Sequence, residues 1–178
     1  MSSAPLKRLP PLASTGVGSL PFARPTAAAA HARRAYELPF CPQLPRLDGD
    51  MVAEWLGSDP GRCGWAADRD RERPAAWDAF LAQLAADPPA HGIVKLQVTG
   101  PLTLAMALER AAGRPGCGRE AHALAVEVAS WLAASAAAQA RALTDLRLAT
   151  LLVVDEPGLA GIAGAGVDLH RRLLPLLP

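Results

Sequence analysis

The chain has 178 residues, 51% of them hydrophobic and 20% charged. That length suits one domain with a sizeable core, and that balance excludes a disordered polyelectrolyte. Eighteen Lys and Arg against 17 Asp and Glu leave a net charge of +1, so no global field draws in nucleic acid or an anionic membrane surface. A small-molecule partner is the expectation.

Cys41, Cys63 and Cys117 are odd in number and form no C-x-x-C, which argues against a disulfide scaffold or a zinc knuckle and for a reducing cytoplasm. Pro10 and Pro11 interrupt any apolar export segment after Lys7 and Arg8. Alanine-rich stretches such as Trp131 to Ala140 break well short of the ~20 residues that span a bilayer.

In chain order, residues 1–13 form an N-terminal arm, and Ser14 to Pro21 (STGVGSLP) is a short strand running into a glycine-rich loop. Thr26 is placed to cap a helix over Ala27 to Tyr36. Leu38 to Leu44 (LPFCPQL) is a short parallel strand only with its prolines at the ends or on an edge. Asp48 or Asp50 caps a short helix containing Met51, Val52, Trp55 and Leu56, and Gly57 to Arg73 reads as an exposed excursion. Pro74 opens a helix with Trp77, Phe80, Leu81 and Leu84 on one stripe, ended by Pro88 and Pro89. Gly92 to Val98 (GIVKLQV) is a buried strand. Thr99, Gly100 and Pro101 turn it into a helix over Leu102 to Ala112, and Gly113 to Gly118 is a loop. Arg119 to Leu143 is the longest helix, with Leu124, Val128, Trp131 and Leu132 on one face. Leu146 to Val154 is the most hydrophobic strand, closed by Asp155, Glu156 and Pro157, and Val167 to Leu174 is a final helix. Repeated β then α, without a hairpin signal between strands, predicts a parallel α/β layout.

Polar residues stand immediately after the predicted strands: Ser19, then Thr99, then Asp155 and Glu156. In parallel α/β folds the carboxyl ends of the strands share one face and carry the ligand, so Ser19, Thr99 and Asp155 are expected to converge there. Each has a structural alternative. Ser19 also reads as a turn serine, Thr99 as a helix cap, and two adjacent strand residues normally point to opposite sides, so one of Asp155 and Glu156 is expected to face the pocket. Lys95, inside an apolar strand, is either a buried base or anion ligand or a lysine that snorkels to an edge. Cys41, beside Gln43, either faces the pocket at a strand end or is a small buried hydrophobe. His31, His91, His122 and His170 have no second ligand at metal spacing.

Three segments in order, Thr15 to Pro21 (TGVGSLP), Gln97 to Leu104 (QVTGPLTL) and Val153 to Leu159 (VVDEPGL), resemble the G-S-x-P, T-G-P-x-T and I-D-E-P-x-L segments of the catalytic domain of cobalamin-independent methionine synthase and its uncharacterised relatives, in the uroporphyrinogen decarboxylase superfamily. Leu38 to Pro45 (LPFCPQLP) is similar to the P-x-x-P-Q-L-P segment of the uncharacterised branch. The resemblance covers Ser14 to Leu159.

It implies a TIM-type (β/α)8 barrel, of which residues 14–178 supply the N-terminal part, since a full barrel needs about 250 residues. It implies a methyltransferase acting on homocysteine, with Ser19 and Asp155 contacting the amino-acid part of the substrate and Thr99, Glu156, Gln43 and Lys95 as further binding candidates. The family's zinc ligands follow the I-D-E-P segment beyond Pro178, so no cofactor is expected in this chain. The family's folate-stacking tryptophan corresponds to Ala107, and its amine-binding glutamate is replaced within Gln43 to Pro45. Two alternatives stand beside this: a metal-independent, decarboxylase-like enzyme of the same superfamily, and a non-catalytic half-barrel for binding or assembly. An open half-barrel exposes a strand edge, so self-association is expected.

Overall fold

A computed structural model describes residues 8–56, 74–114 and 119–158. The expectations for Gly57 to Arg73 and for the helix at Val167 to Leu174 lie outside these residues. The chain divides into two compact units. One comprises Met1–Gly49, Arg73–Gln97 and Gln139–Val153, and the other Asp50–Glu72, Val98–Ala138 and Val154–Pro178.

In the first unit the backbone forms parallel neighbours in chain order. The extended segment from Ser14 accepts from Leu38 N at 3.0 Å and, through Gly18 O, from Gln43 N at 3.0 Å; Leu20 N returns a bond to Gln43 O. These contacts make a parallel bridge between Ser19 and Gln43, and a second joins Phe40 to Lys95. The segment from Leu38 therefore meets its neighbours at isolated bridges and does not form the strand expected over Leu38 to Leu44. Pro39 and Pro42 have no N–H to continue a ladder, although the Pro39 carbonyl still accepts from Lys95 N at 2.8 Å. Next comes β1 (Ile93–Thr99), then β2 (Ala149–Asp155), its hydrogen-bonded neighbour. Bonds from Ala149 N to Gly92 O and from Gly100 N to Asp155 O fix their parallel direction, the pairing expected of these two runs. Among the described residues the sheet comprises these two strands and the two bridges, and does not close into a barrel.

Helix α1 (Pro25–Ala35) follows the first segment. It starts two residues earlier than a Thr26 cap predicts: Pro25, whose ring presets a helical φ, takes the first position, and Thr26 lies exposed within the helix without capping it. Its buried face is Ala28, Ala29 and Ala32. Helix α2 (Pro45–Asp48) is a single turn, and a later helix of this unit, numbered α4 below, spans Trp77–Ala86 and buries Trp77, Phe80 and Leu84. These side chains pack with Ala29, Val94, Leu96, Leu143 and Leu148 in one cluster, and Leu20, Phe40, Leu44 and Ala76 join Ala28 and Ala32 in another. Each large apolar side chain so buried contributes roughly 1.5–3 kcal/mol. Arg33 clasps the end of α4, donating to Asp87 O at 2.6 Å, Asp87 Oδ1 at 3.0 Å and Pro88 O at 3.2 Å.

In the second unit Asp50 is the residue that caps α3 (Ala53–Leu56), its Oδ1 accepting from Val52 N and Ala53 N at 2.9 and 2.8 Å. Helix α5 (Pro101–Ala111) packs Leu102, Ala105 and Met106 against Ala125 and Ala129 of α6 (Arg119–Asp145). Trp55 meets Trp131 edge to face at 5.6 Å. Ala123–Asp145 within α6 has a mean hydropathy of 1.3 and is long and apolar enough to cross a membrane, longer than the Trp131 to Ala140 run alone implies. Ala125, Val128, Ala129, Leu132, Ala136 and Leu143 along it are buried against protein.

Strand β2 begins three residues after Leu146 because α6 ends in a Schellman closure. Leu148 N bonds Leu143 O at 3.0 Å, Arg147 N bonds Thr144 O at 2.8 Å, and Arg147 takes φ 61°.

Candidate functional site

At the carboxyl ends of the first unit's parallel segments, Ser19 is exposed and Gln43 is buried. The Ser19 hydroxyl donates to Gln43 Oε1, and the Gln43 amide faces the Gly49 carbonyl at 3.5 Å, which fixes which end of the carboxamide meets Ser19. Gln43 and Ser19 are thus brought together by the bridge that pairs their backbones. Lys95 is not at an edge. It is 5% exposed, donates to Gly16 O at 2.7 Å and Val17 O at 3.4 Å, and lies 5.8 Å from the Phe40 ring centre. A buried ammonium must have such acceptors, and here they tie down the glycine-rich bend that carries Ser19.

One neighbour was not singled out from sequence. Gln97 is half-buried, and its carboxamide lies flat over Gly18, where an added Cβ would stand 2.7, 2.8 and 2.9 Å from its Nε2, Oε1 and Cδ. Gly18 has φ 135°, a region that favours glycine in any case. The signal was present: period-two alternation sets Lys95, Gln97 and Thr99 on one face of β1, opposite Val94, Leu96 and Val98.

In the second unit Thr99 is 3% exposed and its hydroxyl donates to Met51 O at 2.8 Å. It does not cap α5. Glu156 does so from 54 residues away: its carboxylate accepts from Leu102 N at 3.0 Å and from Thr103 N and Oγ1 at 2.9 and 2.6 Å. This is an acidic side chain at the positive end of a helix. Gly100 has no room for a side chain because the Glu156 carboxylate lies against its Cα. Asp155, one residue earlier, is half-buried, and its carboxylate has no hydrogen-bond partner among the described residues. A cavity of about 240 Å³ is lined by Thr103, Met106, Arg110, Pro157 and Gly158. The Thr103 hydroxyl there also accepts from Gly158 N at 3.0 Å.

Several other reactive groups among the described residues serve the framework. Cys41 is buried in the core beside Trp77 and Phe80. His91 Nδ1 accepts from Ile93 N at 3.1 Å, which sets the ring proton on Nε2, 2.6 Å from Glu37 O. Glu37 accepts from the hydroxyl and amide of Ser14; the hydroxyl bond is the main cause that holds its carboxyl below the usual value of 4.5. Glu109 is likewise held low, chiefly by hydrogen bonding from Arg114 at 2.5 and 2.6 Å.

Among the described residues no three His, Cys, Asp or Glu side chains group as a metal site. Comparison with protein-family models, with curated proteins and with solved structures finds no match to this chain.

Proposed function

We propose that this chain is a methyltransferase-like domain of the type seen in cobalamin-independent methionine synthase, and that it binds a small amino acid or thiol at the carboxyl ends of its parallel segments. One observation carries the proposal. Parallel neighbours run in chain order, from the Ser14 segment to the Leu38 segment to β1, and two polar candidates, Ser19 and Gln43, meet at their carboxyl ends. Parallel neighbours in chain order are also what the first segments of a (β/α) barrel would show, which supports the reading. In the second unit, Asp155, whose carboxylate has no hydrogen-bond partner among the described residues, is the counter-charge for a substrate ammonium.

The decarboxylase-like alternative needs a strand-end cation for an acidic substrate, and Lys95 directs its ammonium to backbone carbonyls instead. A non-catalytic binding domain is the second reading. It is favoured by the internal bonding of Thr99, Lys95 and Glu156 within the fold; among the described residues Asp155 alone of the named ionisable candidates has no side-chain hydrogen bond.

Calorimetric titration of the chain with L-homocysteine and L-methionine tests binding. Methyl transfer to homocysteine, assayed separately, divides the enzyme from the binding module. Saturable binding that weakens in Asp155→Asn by about 1.5–3 kcal/mol, the scale of a lost charge-assisted hydrogen bond, is expected. An Asp155→Asn protein that unfolds would instead mark Asp155 as structural.

A further inference from the structure

We infer that the cavity beside α5 in the second unit is a binding site for a small organic monoanion, a carboxylate on a short unbranched apolar tail, with Arg110 meeting the charge. All five lining residues, Thr103, Met106, Arg110, Pro157 and Gly158, belong to that unit. The inference stands apart from the amino-acid reading, which none of these five residues carries.

Helical spacing builds one wall. Thr103, Met106 and Arg110 follow one another at i, i+3 and i+7, so they share a face of α5 and extend over about 10 Å of its axis. Side chains on a helix lean toward its N-terminus, so Arg110 leans over the turn that carries Met106. Pro157 and Gly158 form the other wall and lie close: a Cβ on Gly158 would stand 3.0 Å from Thr103 Oγ1 and 3.2 Å from Met106 Sδ. The cavity holds about 240 Å³. That is more than the ~150 Å³ that admits benzene and less than the roughly 300–1,000 Å³ of sites for drug-sized molecules, so the ligand is small.

The chemistry of the lining selects the ligand. At the Thr103 end no donor is left to offer, because the hydroxyl proton goes to Glu156 Oε2 at 2.6 Å and the Gly158 N–H is spent on the hydroxyl oxygen at 3.0 Å. The first α5 amides there are bound to the same Glu156 carboxylate. Met106 and Pro157 present apolar surface. Arg110 differs from all of these. It is exposed and its guanidinium has no hydrogen-bond or ion-pair partner among the described residues, whereas Arg114, one turn on, is engaged by Glu109 at 2.5 and 2.6 Å. Charged donors without acceptors at one end of a mostly apolar cavity call for an anionic head on an apolar body, and a guanidinium pairs with a carboxylate through two parallel bonds. A single cation on the wall matches a single negative charge, which favours a monocarboxylate over a dianionic phosphate. The Glu156 charge beside Thr103 keeps the anionic head at the Arg110 end.

The test is a nuclear magnetic resonance titration of the full chain, 15N-labelled and with 13C-labelled methionine methyls, using hexanoate, 1-hexanol and acetate. Hexanoate is expected to shift the Met106 methyl and the Arg110 and Gly158 backbone amides saturably. 1-Hexanol, which keeps the tail without the charge, and acetate, which keeps the charge without the tail, should each bind about tenfold more weakly or worse. Arg110→Gln should weaken hexanoate about tenfold, and Arg110→Lys, which keeps the charge but loses the paired geometry, should fall between that variant and the parent. Arg110 is exposed, so both variants are expected to keep the parent spectrum away from the cavity; if one misfolds, the comparison of the three ligands on the parent chain decides. No saturable hexanoate response, binding of 1-hexanol or acetate equal to that of hexanoate, or full hexanoate binding in folded Arg110→Gln would overturn the inference.

Discussion

Glu156 and Asp155 are adjacent, acidic and at the mouth of the same strand, yet their carboxylates have different surroundings. Glu156 satisfies the first amides of α5, while Asp155 has no partner among the described residues. Truncating Glu156 to Ala removes an N-terminal cap and should destabilise the protein by about 0.5–2 kcal/mol, measured by urea denaturation; unchanged stability would contradict the capping role. The strand alternation expected from sequence anticipates that the two differ, but not which faces the helix, because that depends on where α5 begins. Lys95 was ambiguous for a similar reason. Its acceptors, Gly16 O and Val17 O, are backbone atoms almost eighty residues away, invisible to any local pattern. Gln97 is not among the residues named from sequence, although alternation on β1 sets it on the face of Lys95 and Thr99; its contact with Gly18 is long-range and has no local signal.

Element boundaries were legible where a single residue dictates them. Asp50 and Pro101 start their helices as their chemistry requires. The misplacements have local causes: Pro25 pre-empts Thr26, and two prolines reduce the Leu38 segment to bridges. The close of α6 was missed because the left-handed position of its Schellman motif is filled by Arg147, where glycine is the usual signal. Arg147→Gly should therefore stabilise the fold by about 1 kcal/mol in thermal or urea unfolding, relief of left-handed strain outweighing glycine's added chain entropy. A loss of stability would mean that the arginine side chain contributes more than its backbone conformation costs.

Charge also acts on elements. Glu109 with Arg114 closes the end of α5, and Glu37 with Ser14 joins the first two extended segments. Both carboxyls are held below 4.5 in the folded state, so each binds its proton less readily there than in the unfolded chain. Their stabilisation is fully present above that ordinary value and is lost as pH falls through the lower folded values. Glu109→Gln should flatten the decline of stability below about pH 4.5 relative to the parent, read from denaturation midpoints between pH 7 and pH 3. Parallel declines would show that Glu109 is not linked to folding.

At the scale of the molecule, a parallel α/β arrangement was legible because β-branched runs alternate with long helical stretches and no hairpin turn intervenes. The two apolar runs at Gly92 to Val98 and Leu146 to Val154 proved to be paired strands. Barrel closure was not legible in the same way, since it depends on shear and tilt around a whole sheet and not on any residue of one strand. We propose that the strand ends of this chain receive a small amino acid or thiol. Isothermal calorimetry of the chain and of Asp155→Asn with L-homocysteine tests it most directly. One saturable site is expected, weakened by about 1.5–3 kcal/mol in a variant that stays folded; no saturable heat from the parent protein, or equal affinity in both, would overturn this reading.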